Sequence, residues 1–169
     1  MISEKLFSAL NDQINFEFYS SYVYLAMSSY CEDEDLVGFA NFFRVQAQEE
    51  LFHATKMYDY VIEMGGRVIL ESIEKPESNY DSVLHAFKTA LHHERMVTER
   101  IYNLTDIATE EREHATISFL KWFIDEQVEE ESTFKGIVKQ IERSIDNPAA
   151  LYMLDENLGQ RTFTPPVSA

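Results

Sequence analysis

Four long stretches of this chain place apolar residues three and four positions apart, and each is interrupted near its middle by an acid or an amide. The interruptions are Glu17 in the first stretch, Glu50 with His53 in the second, Glu94 in the third, and Gln127 with Glu130 in the fourth. That period is the signature of helices buried along one stripe. Breakers are scarce: there are five Gly and four Pro, and no Pro precedes Pro76. The pattern therefore predicts an all-α four-helix bundle with a polar layer across the middle of its core. Isolated carboxylates are rarely buried, and several in one core repel one another. The central turns of the four stripes supply no Lys or Arg, only His53. A bound cation is the simplest way to stabilise such a layer. Inward carboxylates from four helices, with Glu-x-x-His on at least one, describe a di-iron or di-manganese bundle centre.

The elements can be placed more closely. Ser3 is the expected N-cap of a first helix reaching about Cys31, with Leu6, Leu10, Gln13 or Ile14, Glu17, Ser20, Tyr24, Met27 and Cys31 inward. The acidic run Glu32 to Asp35 makes the turn, and Asp33 or Asp35 is the expected cap of the second helix. That helix turns Leu36, Ala40, Phe43, Ala47, Glu50, Ala54, Met57, Val61 and Met64 inward and stops at Gly65-Gly66. Residues 67 to 80 lack helical period. A third helix starts near Asp81 or Ser82, with Val83, Phe87, Ala90, Glu94, Val97, Ile101, Leu104 and Ala108 inward, and a fourth follows Thr109. Asn147-Pro148 reads as N-cap and first residue of a short fifth helix ending at Gly159, whose stripe of Leu151, Leu154 and Leu158 wants a partner surface that one bundle cannot cover. Residues 1–169 read as a single domain: a bundle over about 4–142, a short helix over about 148–158, and an irregular tail from Thr164 to Ala169.

Length tests this arrangement. A helix of about 28 residues is about 42 Å long, and Glu17, Glu50, Glu94 and Gln127 each fall about 18–22 Å from their helix starts. All four reach one mid-height layer whichever way each helix runs. Extended, the segment from 67 to 80 spans about 45 Å. It can run the full length of the bundle, which makes the second and third helices parallel and predicts a long crossover between them.

Composition narrows the function classes. Thirty Asp and Glu against fourteen Lys and Arg give a formal net charge of −16. Such a chain repels nucleic acid and anionic membranes and attracts metal cations. The single Cys31 cannot form an internal disulfide, the start Met-Ile-Ser-Glu-Lys lacks a signal-peptide core, and no segment is apolar enough to span a membrane. These features point to a cytoplasmic protein.

Neutral His53, three residues after Glu50, shares a helix face with it and is a good nitrogen ligand. Carboxylate-rich, nitrogen-poor ligation suits iron or manganese better than structural zinc. Glu49 is rotated about 100° from Glu50 and faces beside the stripe. Glu126, Glu129 and Glu131 read on spacing alone as a solvated helix face or as ligands, with nothing to separate the two. A second Glu-x-x-His, Glu111 to His114, lies at the start of the fourth helix, far from the layer, and reads as a terminal acid with a surface histidine. His85, His92 and His93 read as solvated. Tyr24, two turns beyond Glu17, is either a core aromatic or a hydroxyl partner for a metal-bound carboxylate.

Several ordered segments together resemble the non-haem ferritins of bacteria and archaea over nearly the whole chain. They are Gln13-Ile14-Asn15-Phe16-Glu17, Ser20-Ser21-Tyr22-Val23-Tyr24-Leu25, Gln48-Glu49-Glu50-Leu51-Phe52-His53-Ala54 and Gly65-Gly66-Arg67-Val68. Phe119-Leu120-Lys121-Trp122-Phe123, leading into Glu126 to Glu131, and the ending from Leu154 to Pro166 complete the set. The resemblance implies a cage of 24 subunits that oxidises Fe(II) with O2 or peroxide and stores ferric mineral. It implies Glu17, Glu50 and His53 as ligands of a first iron. Glu50 would bridge to a second iron held by Glu94 and Glu130, with Gln127 close by and Tyr24 beside the centre. It further implies a third iron held by Glu49, Glu126, Glu129 and Glu130, and a fifth helix packed at the four-fold axis.

Departures from related families add to this. Bacterioferritins carry a second inward Glu-x-x-His where this chain has Gln127 and Glu130, and a haem-ligating Met where it has Phe52, so haem is not expected. The acidic three-fold channel of animal ferritins aligns near Ile117 and Leu120, both apolar. Two other classes stay open. A rubrerythrin-like di-iron peroxidase would bring Cys-x-x-Cys pairs, against which Cys31 stands alone. An acidic scaffold would bind cations without redox change.

Overall fold

The computed structural model describes residues 2–165; Met1 and the end of the expected irregular tail, Pro166 to Ala169, lie outside them. Five helices follow one another: α1 Glu4–Asp33, α2 Val37–Glu63, α3 Val83–Glu110, α4 His114–Ser144 and α5 Pro148–Leu158. There is no strand among the described residues. The expected all-α bundle with its short fifth helix is the fold observed.

Two of the connections are tight turns. Asp35 and Arg112 take positive φ (56° each) to reverse the chain between α1 and α2 and between α3 and α4. At the end of α2, Gly65 (φ 81°) closes the helix, its N–H donating to Ile62 O while that of Gly66 donates to Val61 O. The segment from 66 to 80 then runs back along α1. Asn11 and Asn15, one turn apart, bind its backbone in register. The Asn11 amide accepts from Ile69 N–H (2.7 Å) and donates to Arg67 O (3.1 Å); Asn15 accepts from Glu71 N–H (2.8 Å) and donates to Ile69 O (2.9 Å). Farther on, Tyr80 meets Tyr30 edge-on near the other end of α1 (5.2 Å between centroids). Asn11 to Tyr30 is about 28 Å of helix, so the segment crosses most of the bundle and α2 and α3 run parallel.

The inward stripes are buried as the period predicts, and the core they form has two halves. One end holds Leu6, Leu10, Ile14, Met57, Val61, Ile101 and Leu120; the other holds Tyr24, Met27, Phe39, Phe43, Phe87, Phe134 and Ile141. The polar layer lies between them.

Four expectations need correction. Neither Asp33 nor Asp35 caps α2: its N-cap is Leu36, which makes no side-chain bond, and Asp155 Oδ1 of α5 accepts from Phe39 N–H (2.9 Å) instead. Glu111 does not open α4. It ends α3, and its carboxylate accepts from Ser3 Oγ (2.6 and 2.7 Å), which in turn caps α1 at Leu6 N–H. The apolar stripe of α5 was expected to need a surface beyond its own bundle. Leu154 is buried, and Leu151 and Leu158 pack on the bundle's own upper core, leaving Tyr152 and Met153 as the exposed apolar residues of α5. His93, read as solvated, is buried and bonds Ser20 Oγ through Nε2 (2.8 Å), in an aromatic setting of Phe16, Tyr19 and Tyr24. His85 and His92 are exposed.

Docking of α5 is close. A Cβ at Gly38 would lie 1.6 Å from Asp155 O, so only glycine lets α5 approach there. Asn41 Nδ2 faces Leu158 O, Gly159 O and Arg161 O (3.2, 3.3 and 2.9 Å), which turns the chain after α5 back along α2.

Candidate metal centre

At mid-height the four helices bring Glu17, Glu50, His53, Glu94, Gln127 and Glu130 inside, each at most 5% exposed. Glu17, Glu50 and His53 form the tightest group: each offers one ligand atom within 4.8 Å of the others. Glu50 Oε2 is 3.4 Å from His53 Nδ1. Two buried atoms of this group, Glu17 Oε2 and Glu50 Oε2, have no hydrogen-bond partner. Leaving a buried polar atom unpaired is costly, and a divalent cation accepts both oxygens and the neutral imidazole at once. The residues fit a metal.

The other oxygen of each acid is held. Gln13 Nε2 donates to Glu17 Oε1 (2.7 Å) and Gln46 Nε2 to Glu50 Oε1 (3.3 Å). Glu94 is held on both sides, by the Tyr24 hydroxyl at Oε1 and by Gln127 Nε2 at Oε2 (3.0 Å). Gln127 Nε2 also faces Glu94 O (3.2 Å) and Thr98 Oγ1 (3.4 Å). Burial, then the charge of Glu94, pushes the Tyr24 hydroxyl up, so it stays protonated and donates.

Four acids of the layer share one electrostatic condition. Glu17, Glu50, Glu94 and Glu130 are each pushed up to about 8, first by burial and next by a neighbouring carboxylate: Glu50 acts on Glu17 and on Glu94, Glu130 on Glu50, and Glu94 on Glu130. Without metal the folded protein therefore keeps protons that the unfolded chain has released above the ordinary value of 4.5. Stability is complete below that value and falls as pH rises toward 8, because there the native state binds more protons. Metal replaces those protons. Metal-free protein is expected to lose melting temperature between pH 5 and pH 8, and the Zn(II)-loaded form to lose much less. Calorimetry of Zn(II) binding at pH 7 in buffers of different ionisation enthalpy should show proton release. A pH-independent melting temperature with no proton release would mean that the acids are already ionised.

The remaining acids stand at the rim. Glu49 is half-buried and paired with Arg161; burial raises it while Arg161 and His53 pull it down. Glu126 is half-buried and raised by burial, with His53 acting against the shift. Glu129 is exposed, and Glu131 bonds Thr98 Oγ1 (2.9 Å) and lies near Arg95 and Lys135.

The central stripes supply no Lys or Arg to the buried acids, yet two arginines reach the layer from outside the stripes. Arg100 Nε donates to Gln13 Oε1 (2.9 Å), and Arg161 Nη1 donates to Gln46 Oε1 (2.9 Å). Both reach the layer's edge on long side chains, from α3 and from the chain beyond α5. Gln46, fully buried, was missed as a site residue. A signal existed: Gln13 to Glu17 and Gln46 to Glu50 repeat one four-residue spacing, which places each pair on one helix face.

A bundle of this topology with a buried Glu/Glu/His group defines a carboxylate-rich, metal-binding four-helix protein. The chain matches the ferritin-like domain over residues 7–144, and it belongs to the ferritin family. It is 45% identical to the bacterial non-heme ferritin of Staphylococcus aureus (strain USA300) over 163 residues, covering 96% of this chain and 98% of that one. The bacterial non-heme ferritin of Staphylococcus epidermidis is similar to the same degree. Among solved structures, an open-pore ferritin from the hyperthermophilic archaeon Archaeoglobus fulgidus superposes with a TM-score of 0.95 at 48% identity, covering 96% of this chain and 99% of that one. A humanized archaeal ferritin gives 0.96 at 48% identity, covering 98% and 100%.

Proposed function

We propose that this chain is an iron-storing ferritin subunit and a ferroxidase. It works as one domain that oxidises Fe(II) inside its bundle, using O2 or peroxide, and keeps the ferric mineral in a closed cytoplasmic cage of 24 copies. The observation that carries this reading is the pair of unpartnered buried oxygens, Glu17 Oε2 and Glu50 Oε2, beside His53. Iron is the substrate. Glu17, Glu50 and His53 bind the first Fe(II); Glu50 bridges to a second, bound by Glu94 and Glu130 with Gln127 beside it. Two Fe(II) ions lose one electron each, and O2 takes both with two protons to leave as H2O2. Tyr24 steadies Glu94 through its hydroxyl.

Glu49, Glu126, Glu129 and Glu130 form a third iron position. Support for it is the three- and four-residue spacing of Glu126, Glu129 and Glu130 along α4 and the effect of Glu126 on Glu49 and of Glu49 on Glu130, each charge raising its neighbour. The proposal includes no haem, since Phe52, next to His53, offers no axial sulfur, and no nucleic acid or membrane partner. No described helix is long and apolar enough to cross a membrane. Leu120 is buried in the lower core, and Ile117 is partly buried against it, so neither offers an acidic lining for iron entry.

Exposed apolar side chains support assembly: Tyr22, Leu25, Leu51, Tyr58 and Ile62 on α1 and α2, and Ile69, Leu70 and Ile73 on the crossover. Sedimentation during aerobic Fe(II) titration is expected to show a closed assembly of about 24 chains that retains ferric iron well beyond the few ions its ligands bind, in the manner of a closed-symmetry homo-oligomer. Monomer at every salt and iron concentration would overturn the cage. A closed assembly that leaves Fe(II) oxidation no faster than buffer would favour a cation-binding scaffold.

A further inference from the structure

The centre is flanked by two relays of the same design on different helices. On α1, Arg100 donates to Gln13 Oε1 and Gln13 donates to Glu17 Oε1. On α2, Arg161 donates to Gln46 Oε1 and Gln46 donates to Glu50 Oε1. In both, the acid's second oxygen is the one left bare.

A guanidinium only donates, so a glutamine facing it must present its oxygen; the NH2 then has to face the carboxylate. Turned over, the amide would set N–H against N–H at one end and oxygen against oxygen at the other. We propose that Arg100 and Arg161 are positioning residues for iron binding. By fixing the orientation of Gln13 and Gln46, they decide which oxygen of Glu17 and of Glu50 is tied back and which is free for metal. This inference rests on the reading of Glu17, Glu50 and His53 as metal ligands.

Arg161 is well secured for the task. Its guanidinium lies over the Phe42 ring (4.3 Å to the centroid), its carbonyl accepts from Asn41 Nδ2 (2.9 Å), and its second terminal nitrogen pairs with Glu49. Arg100 is held likewise, over the Phe16 ring (4.2 Å) and against Asp12 Oδ2 (2.5 Å). Neither arginine is placed to bond the metal-facing oxygens, so each acts through its glutamine.

The test is Co(II) binding to the assembled protein, followed by visible absorbance and calorimetry. Arg161→Ala and Gln46→Leu are each expected to weaken Co(II) binding about 10–100-fold, the usual cost of losing a group that orients a metal ligand. The double variant should lose no more than either single one, because both remove the same device. Arg161→Lys, which keeps a donor for Gln46 Oε1, should recover most of the affinity and the parent absorbance. Parent-like binding by Arg161→Ala, or losses that multiply in the double variant, would overturn the inference. If Arg161→Ala does not fold, the same comparison with Arg100→Ala and Gln13→Leu decides it on the other arm. Glu50→Ala separates the two readings. Retained Co(II) binding there would remove the metal centre itself, whereas its loss beside an unaffected Arg161→Ala would remove only the relays.

Discussion

Glu50→Ala is expected to slow the rapid phase of Fe(II) oxidation about 100-fold or more, since it removes the acid proposed to serve both irons. Glu50 Oε2 is unpartnered and lies near Glu17 and His53, while the charge of Glu50 also raises Glu94. The fold should survive, because the substitution deletes a crowded buried acid rather than isolating one from its partner. Stopped-flow absorbance with oxygen consumption at rising Fe(II) per subunit makes the measurement. Glu129→Ala, at an exposed position, should keep the rapid phase and change only the slower phase or the stoichiometry. Parent-like fast kinetics in Glu50→Ala would make this layer structural. A Glu129→Ala protein equal to the parent at every loading would remove only the third position.

Gly38→Ala is expected to release α5 from the bundle. The added Cβ would meet Asp155 O at 1.6 Å and Asp155 C at 2.4 Å, both backbone atoms that cannot rotate away. Overpacking of this kind costs about 1–3 kcal/mol. Separating the helices also removes a side-chain cap of α2, the bond from Phe39 N–H to Asp155 Oδ1. Hydrogen exchange should show amides of α5 losing protection while those of α1 to α4 keep theirs. Equal protection of α5 in variant and parent would show that the contact yields at no cost.

Much of the bundle was legible because burial follows period. The residues from Leu6 to Cys31 and from Val83 to Ala108 that the period turns inward are all buried. The polar interruptions were legible for the same reason. His93 shows the limit of a narrow stripe: Ala86, Ala90, His93 and Val97 follow the helical period as well as the Glu94 line does, and α3 buries both. Contacts made across the fold were not legible. Asp155 caps a helix at Phe39, 116 residues earlier, and Arg161 bonds an amide 115 residues away. Neither has a local pattern, since what selects them is the docking of α5. The crossover's direction followed from its length alone. Its seating on Asn11 and Asn15 did not, because an asparagine on a helix surface looks like any solvated residue until an extended chain lies beside it.

The place of Arg161 in the chain gives the centre a history during synthesis. Glutamates and histidine of the layer all precede Ser144, but the side chain that settles Gln46 follows α5 and leaves the ribosome after every one of them. A chain that has closed its bundle but has not yet docked the segment after α5 has one arm of its proposed metal grip still unset. On that reading full affinity for metal arrives with the docking of α5 and the segment after it, rather than with the closing of the bundle.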